Sequence, residues 1–355
     1  MAVALRRVEA AAHPSPAAAA DEVPRALRRL LPLLQQALRS SAPPQGTRIG
    51  AMSSYHLGWT DAEGQPRGAG AGKFVRGCLA LWAGEKCGGE LSDAIPAATA
   101  VEWIHNFTLV HDDIQDGDLE RRHRPAVWAV WGSAQAINAG DGMHAVAYRA
   151  LLSGRDRPAT RLRAAAAINE AIVAVIEGQC LDLALEGQID TTVAMYLQLA
   201  RAKTGALIGG ALEAGAVMGG ADSRRAGLLR RAGVEIGVAF QVRDDWLGTW
   251  GDSAVTGKGC GGDLARRKIT YPVVAGQARL RGAAQRELRR LYRQPGGDED
   301  TILALLDEAG AQDAVADELE RRGRSAMRLV GMCGLMPAAL DEFQSIVEFV
   351  VERAS

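Results

Sequence analysis

The sequence predicts an all-α fold: one large helical bundle around a central cavity. Ala, Leu, Arg and Glu recur at three- and four-residue spacing along most of the chain, the period of a helix face. Strand-like alternation of Val, Ile, Thr and aromatic residues is hard to find. Several helical stretches are apolar almost all round, which puts whole helices inside the bundle.

Residues 1–24 read as a flexible Ala/Pro-rich leader with two arginines but no apolar signal-peptide core. Helices are expected near 25–40, then, after the break "SAPPQGT", nothing regular until 70–86, which follows "TDAEGQPRGAGAG". The next are 93–116, 134–152, 160–181, 191–218 and 224–249. Past "GDSAVTGKGCGGD" comes 270–293, and past "RQPGGDED" come 299–306, 310–330 and 337–352. No linker is long or polar enough to divide the chain, so 25–355 is expected to be a single domain.

Bulk composition narrows the function classes. At 355 residues, 48% hydrophobic and 23% charged, the chain can bury a substantial core. Lys+Arg 41 against Asp+Glu 42 leaves a net charge of −1, so no global field favours nucleic acid or an anionic membrane. Five scattered cysteines without a CxxC pair fit reduced thiols in a cytoplasmic compartment. The stretches "AIPAATAVEWIHNFTLV" and "GALIGGALEAGAVMGGA" are short for a bilayer span and carry Glu102 and Glu213, so no transmembrane segment is expected.

The chemistry lies in an internal echo. "HDDIQDGD" near 112 and "RDDWLGTWGD" near 244 each put two aspartates at the end of an apolar helix, with a Gly-Asp following. Residues i and i+4 share a helix face about 6 Å apart along the axis. Asp112 and Asp116 therefore project together, with Asp113 beside them, and Thr108, His105 and Ile104 lie deeper. On the second helix the matching face carries Gln241, Asp244, Asp245 and Gly248. Packed face to face, the two helices would form a cavity rimmed by carboxylates above apolar or small groups. Oxygen ligands of this kind suit Mg²⁺, which is usually completed by substrate phosphates. Lys73, Arg76, Arg121, Arg122, Lys203, Lys258 and Lys268 supply cations for a diphosphate.

"GKFVR", "EWIHNFTLVHDDIQDGDLERR", "GDGMHAVA", "GQCLDL", "AKTG", "FQVRDDWLG" and "GKGCGGDLARRK" stand in this order along the chain. In them the sequence resembles the trans-prenyl diphosphate synthase (polyprenyl synthetase) family from about residue 45 onward, a family of the isoprenoid synthase fold. The resemblance implies that Asp112 and Asp116, supported by Asp113, hold two Mg²⁺ ions on an allylic diphosphate. Asp244, with Asp245 beside it, would hold a third. Arg121, Lys203 and Lys268 would neutralise the allylic diphosphate; Lys73, Arg76, His105 and Arg122 would bind isopentenyl diphosphate. Thr204 and Gln241 would orient around the cation, Gln179 and Asp182 would lie near the reacting carbons, and Lys258 would close over the site. A homodimer is implied as well.

The sequence departs from the family pattern twice. The first basic motif is usually GKRxRP; here "GKFVRG" puts Phe74 and Gly77 in place of the Arg and Pro, a change expected to alter isopentenyl diphosphate affinity more than reaction type. The second acidic motif has Gly248 where its last aspartate would stand, and Asp252 is the expected substitute, acting through water. Beneath Asp112, the side chains of Phe107, Thr108 and Ile104 act as a ruler, since one helical turn rises about 5.4 Å, comparable to one isoprene unit. One aromatic beside a threonine implies C20 geranylgeranyl diphosphate first and C15 farnesyl diphosphate second. The rival readings are a class I terpene cyclase, which has no need of a second diphosphate site, and a regulatory subunit of a synthase, which could dispense with acidic ligands. His111, His123 and "RRGRSAMR" are expected to be structural or solvated.

Overall fold

Helices supply nearly all the regular structure in the computed structural model, which describes residues 23–67, 72–153, 157–251, 262–294 and 298–352. The expected helix at 25–40 is two pieces, α1 (Arg25–Arg28) and α2 (Leu31–Ser41). Pro32 near the start of α2 has no N–H to continue a preceding turn. A helix that periodicity did not reveal, α3 (Arg48–His56), starts where Thr47 Oγ1 accepts the Gly50 N–H at 3.1 Å. Next come α4 (Val75–Lys86) and the 25-residue α5 (Leu91–Gln115), which opens with a reciprocal capping box between Glu90 and Asp93.

A short antiparallel hairpin, β1 (Glu120–Arg121) and β2 (Arg124–Pro125), follows α5 and was not anticipated. Then come α6 (Val127–Trp131), α7 (Ser133–Leu152), α8 (Pro158–Leu185) and α9 (Val193–Ala200). The expected helix 191–218 changes pitch inside: Arg201–Gly205 is a π-helical turn between α9 and α10 (Ala206–Met218). After α11 (Ser223–Trp250) and α12 (Gly262–Ala265), the expected helix 270–293 breaks at the extended residues Leu280 and Arg281. It becomes α13 (Tyr271–Arg279) and α14 (Gly282–Arg293). α15 (Glu299–Glu308), α16 (Ala311–Gly331) and α17 (Pro337–Glu352) complete the described chain.

α10 is the axis: ten of its apolar or glycine positions between Leu207 and Val217 are buried, and it packs on α4, α5, α8 and α11. The echo's two helices do not pack directly on each other. α10 packs on both, while α5 and α11 share no broad contact among the described residues. A second apolar cluster, built on Leu264, Val273, Leu288 and Leu306, gathers α12–α15 at one end. Close approach is set by glycines. A Cβ on Gly178 of α8 would lie 2.7 Å from Lys203 Cα, so only glycine lets α8 touch the π-turn. Of the leader 1–24, residues 1–22 lie outside the described residues.

Candidate active site

α5 ends in carboxylates, the wrong charge for a helix C-terminus, where the macrodipole already concentrates negative potential. Asp116 is the C-cap residue, its N–H donating to Asp112 O at 2.8 Å, and the Asp118 N–H donates to Asp113 O at 2.9 Å. Cations oppose the accumulated charge. Arg121 Nε donates to Asp113 Oδ1 at 2.6 Å, Lys268 Nζ lies 3.3 Å from Asp116 Oδ2, and Arg266 Nη1 lies 2.5 Å from Asp118 Oδ1. Burial pushes the Asp112 carboxyl up to about 6, with Asp116 and Asp182 adding to the rise against Lys203 and Arg121. Burial likewise raises Asp113 to about 6 despite its ion pair with Arg121.

The opposite wall comes from α8, the π-turn and α11. Lys203 pairs with Asp182, and Thr204 Oγ1 donates to Gln241 Oε1 at 2.6 Å. π-turns inside helices shift the register by one residue and concentrate at functional positions. From Gln241 the network runs inward: its Nε2 donates to Asp245 Oδ1 at 3.0 Å, while Asp245 Oδ2 accepts from Tyr196 OH at 2.5 Å and the Tyr271 N–H at 2.8 Å. Asp245 is buried and its pKa is pushed to about 7, by burial first. Asp244, its neighbour, is exposed. The two residues grouped as ligands from sequence therefore differ: Asp245 braces α9, α11 and α13 together, and Asp244 is solvent-exposed. The end of α5, α8 and the segment after α12 border a cavity of about 350 Å³ lined by Gln115, Asp116, Asp182, Glu186, Arg266 and Lys268.

A separate cavity of about 200 Å³ has the opposite character. Lys73, Arg76, His105 and Arg122 line it together with Phe74, Phe240 and Phe349. Arg76 Nη1 donates to His105 Nε2 at 3.1 Å and its guanidinium lies 5.8 Å from the Phe240 ring; Lys73 Nζ lies 5.7 Å from the Phe349 ring. Burial, with Arg76 and Arg122 adding to it, holds the His105 pKa well below its usual value, so the imidazole is neutral and accepts from Arg76. Glu102, 1% exposed, accepts the Gly77 N–H at 2.6 Å and is the acid that offsets these cations. Arg122 and His123 form the two-residue turn of the β1–β2 hairpin at φ 54° and 58°. Such a turn suits the hairpin twist but costs a non-glycine residue about 1 kcal/mol or more.

The donors fit a hard cation. They are all carboxylate oxygens, and Asp113 Oδ2 is buried with no hydrogen-bond partner among the described residues. Among those residues, no three acidic, His or Cys side chains converge to hold an ion unaided. Gln179 is 7% exposed and neither polar atom of its side chain has a described partner. Below the acids, Ile104 is fully buried, Thr108 Oγ1 donates to His105 O at 2.8 Å, and Phe107 packs edge-on against His111 with ring centroids 4.9 Å apart. Lys258 and Asp252 lie outside the described residues. Sequence reasoning missed Glu102, Tyr196 and Phe349 as site residues. Only Glu102 left a signal, as a lone acid inside an apolar helix.

The polyprenyl synthetase family model matches residues 68–309. Geranylgeranyl diphosphate synthase of Mycobacterium tuberculosis is 43% identical over 79% of this chain and 79% of its own. The (2E,6E)-farnesyl diphosphate synthase of Mycobacterium bovis is 37% identical over 93% of this chain and 95% of its own. The crystal structure of a polyprenyl synthetase from Streptomyces coelicolor A3(2) superimposes with a TM-score of 0.84 at 37% identity, covering 94% of this chain and 99% of that one. With its two acidic helix ends, π-turn and cationic pocket carried on this all-α isoprenoid synthase fold, the chain belongs to the polyprenyl synthetase family of trans-prenyl diphosphate synthases and is a prenyltransferase.

Proposed function

We propose that the protein condenses isopentenyl diphosphate with an allylic prenyl diphosphate, in the presence of Mg²⁺, to a linear all-trans product. Geranylgeranyl diphosphate (C20) is the first choice and farnesyl diphosphate (C15) the second. The observation that carries this reading is the pair of cavities: one mixes carboxylates with cations, the other joins cations to aromatic rings. A two-substrate reaction needs both; a cyclase would use only the first.

In this reading Asp112, Asp116 and Asp244 hold the ions, with Asp113 and Asp245 positioning the helix ends that carry them. Bound Mg²⁺ would supply neutralisation of the charge that builds on a departing diphosphate. Arg121, Lys203 and Lys268 bind that same group and must exchange their present carboxylate partners for it. Thr204 and Gln241 present oxygen dipoles toward the allylic cation, and Gln179 and Asp182 border the reacting carbons. Lys73, Arg76, His105 and Arg122 hold isopentenyl diphosphate, whose double bond attacks the cation. The proton then lost goes to the released diphosphate, since neutral His105 is engaged by Arg76.

The exposed apolar side chains Leu162, Val173, Ile176 and Leu183 recur along α8, with Ile137 on α7. We assign their cover to a second copy of the chain, which sedimentation analysis would show as a dimer. α8 is also the one described helix long and apolar enough for a bilayer span. The free cysteines Cys78, Cys87, Cys180 and Cys333 support a reducing, cytoplasmic setting.

The deciding experiment supplies labelled isopentenyl diphosphate and C5, C10 or C15 allylic primers in turn. A linear C20 alcohol after phosphatase treatment supports the full reading; C15 or longer products keep the condensation and revise the length. Hydrocarbon released from the allylic substrate alone, without label, would establish the cyclase instead. Activity that appears only on adding a second, different chain would establish the regulatory subunit.

A further inference from the structure

A third cavity, of about 240 Å³, shares Arg122 with the aromatic one. Arginine and histidine supply six of its lining side chains, Arg67, Arg121, Arg122, Arg124, His56 and His123, and no carboxylate lines it among the described residues. Its walls are held in place. Arg124 donates to Tyr55 O and to Thr60 O at 3.0 Å each, its guanidinium lies 4.0 Å from the Tyr55 ring, and Tyr55 OH donates to Pro125 O at 2.8 Å. Arg67 follows a turn closed by the Thr60–Pro66 bridge, and its N–H donates to Trp59 O at 2.9 Å. His56, 8% exposed, is tied through Nε2 to Asn106 Oδ1 at 3.1 Å. The side chains of Arg67, Arg122 and His123, by contrast, have no hydrogen-bond or ion-pair partner among the described residues.

Two observations set this cavity apart from a solvated basic surface. Burial first, then the charges of Arg122, Arg121 and Arg124, hold the His56 pKa well below its usual value, so the imidazole stays neutral under a positive field that no lining acid offsets. His123 stands at φ 58°, a conformation that glycine adopts without strain. The hairpin tip therefore brings a side chain to the cavity at a cost in backbone strain, the mark of a position kept for more than folding. We propose that the cavity is a further anion site, which binds a diphosphate group without metal through Arg67, Arg122 and His123. Arginine forks on two separate chain segments suit a ligand with oxygens on more than one phosphorus. A prenyltransferase of this family has two sources of such a group: free diphosphate released by condensation, and the head group of the product. Because Arg122 also lines the aromatic cavity, a diphosphate held here draws on a guanidinium assigned to isopentenyl diphosphate, and the site is inhibitory. That consequence rests on the placement of isopentenyl diphosphate above; the binding itself does not.

The test is a calorimetric titration of the full chain with inorganic diphosphate in EDTA, so that only metal-free sites fill. Two diphosphates per chain are expected, one in each cation-lined cavity. R67A/H123G is expected to weaken one of them about 10- to 100-fold, the loss of charge-assisted contacts. Its melting temperature should not fall, because Arg67 is exposed and glycine suits φ 58°. R76A is expected to weaken the other diphosphate and leave this one. A single diphosphate per chain that is lost in R76A, or an unchanged isotherm in R67A/H123G, would overturn the proposal. Either would leave the condensation, read separately with labelled isopentenyl diphosphate, untouched. Farnesyl diphosphate binding here about tenfold tighter than inorganic diphosphate would name the product as occupant, its tail adding buried apolar surface. Equal binding would name the free by-product, and inorganic phosphate binding as tightly as either would overturn the diphosphate assignment. In turnover, R67A/H123G should need about threefold more inorganic diphosphate for half inhibition; equal sensitivity would overturn the inhibitory role.

Discussion

The two cavities differ in how they handle charge in the absence of ligand. Around the larger one every cation named has a carboxylate partner: Lys203 with Asp182, Lys268 with Asp116, Arg121 with Asp113, Arg266 with Asp118. The smaller one gathers Lys73, Arg76 and Arg122, with Glu102 the acid among its described lining residues, and leaves Arg76 Nε buried without a described partner. The first region is balanced and needs extra positive charge before it can take a diphosphate. The second already carries surplus positive charge and can take one directly. Dependence on metal should therefore divide between the two.

The largest effect that would break this comparison comes from Asp112. Asp112→Asn removes one charge from the acidic helix end beside the balanced cavity and should lower kcat/KM by about 10³-fold, in line with the loss of a preorganised electrostatic contact at a reacting group. Isopentenyl diphosphate binding to the other cavity, measured by calorimetry without an allylic substrate, should stay within about threefold. Equal loss of both would show that the cavities are not independent. Arg76→Ala is the mirror experiment. It strips the buried pair with His105 and should raise the KM for isopentenyl diphosphate by about 10²-fold, the 2–3 kcal/mol of a charge-assisted contact, while the KM for the allylic substrate is little altered. A change confined to kcat would count against the placement of isopentenyl diphosphate there.

The pH response should separate the regions without mutation. Asp112 and Asp113 sit at about 6 and Asp245 at about 7, against 3.8 for an unperturbed aspartate. Groups whose folded pKa is raised add stability that is complete below about pH 4 and is lost as pH rises through 6 to 7. Without metal, these carboxyls should make the melting temperature fall between pH 5 and pH 8. Mg²⁺ with inorganic diphosphate should restore it at pH 8 and have little effect at pH 5, where the carboxyls hold protons. Asp112→Asn should flatten the metal-free slope. A metal-free melting temperature that falls no less steeply in that variant would mean that Asp112 is not strained by its surroundings.

How far these features can be read in the sequence depends on whether they are local. The helix under Asp112 and the echo at Asp244 repeat every three to four residues, and the expected 93–116 and 224–249 lie close to α5 and α11. α3 was missed because "RIGAMSSYH" is short and mixed. Its helix depends on the Thr47 cap and on burial of Met52 and Tyr55 against the bundle, which no local pattern reports. The break at Leu280–Arg281 escaped for the converse reason, since residues on both sides are good helix formers. In the site, the carboxylates could be listed but not sorted. Asp244 and Asp245 are adjacent in sequence, and only the tertiary positions of Tyr196 and Tyr271 decide that the second is tied inward.

The smallest change in rate, with a qualitative readout, is expected at Phe107, at the boundary between the balanced cavity and the core. Its ring lies edge-on to His111 and 5.3 Å from the His144 ring, which in turn lies 5.4 Å from Tyr148. If Phe107 is the ruler, Phe107→Ala removes the first ring of a series and should lengthen the product. The next barrier is then His144 and Tyr148 on α7, about one helical turn of extra depth, so the gain should be about one isoprene unit. Open-ended elongation would show that the histidine and tyrosine do not stop the chain. An unchanged product would place the floor on another helix and leave Phe107 as packing alone. Because kcat/KM for the first condensation should move only a few-fold, a chain-length shift without a rate loss would separate the cavity's depth from its charged rim.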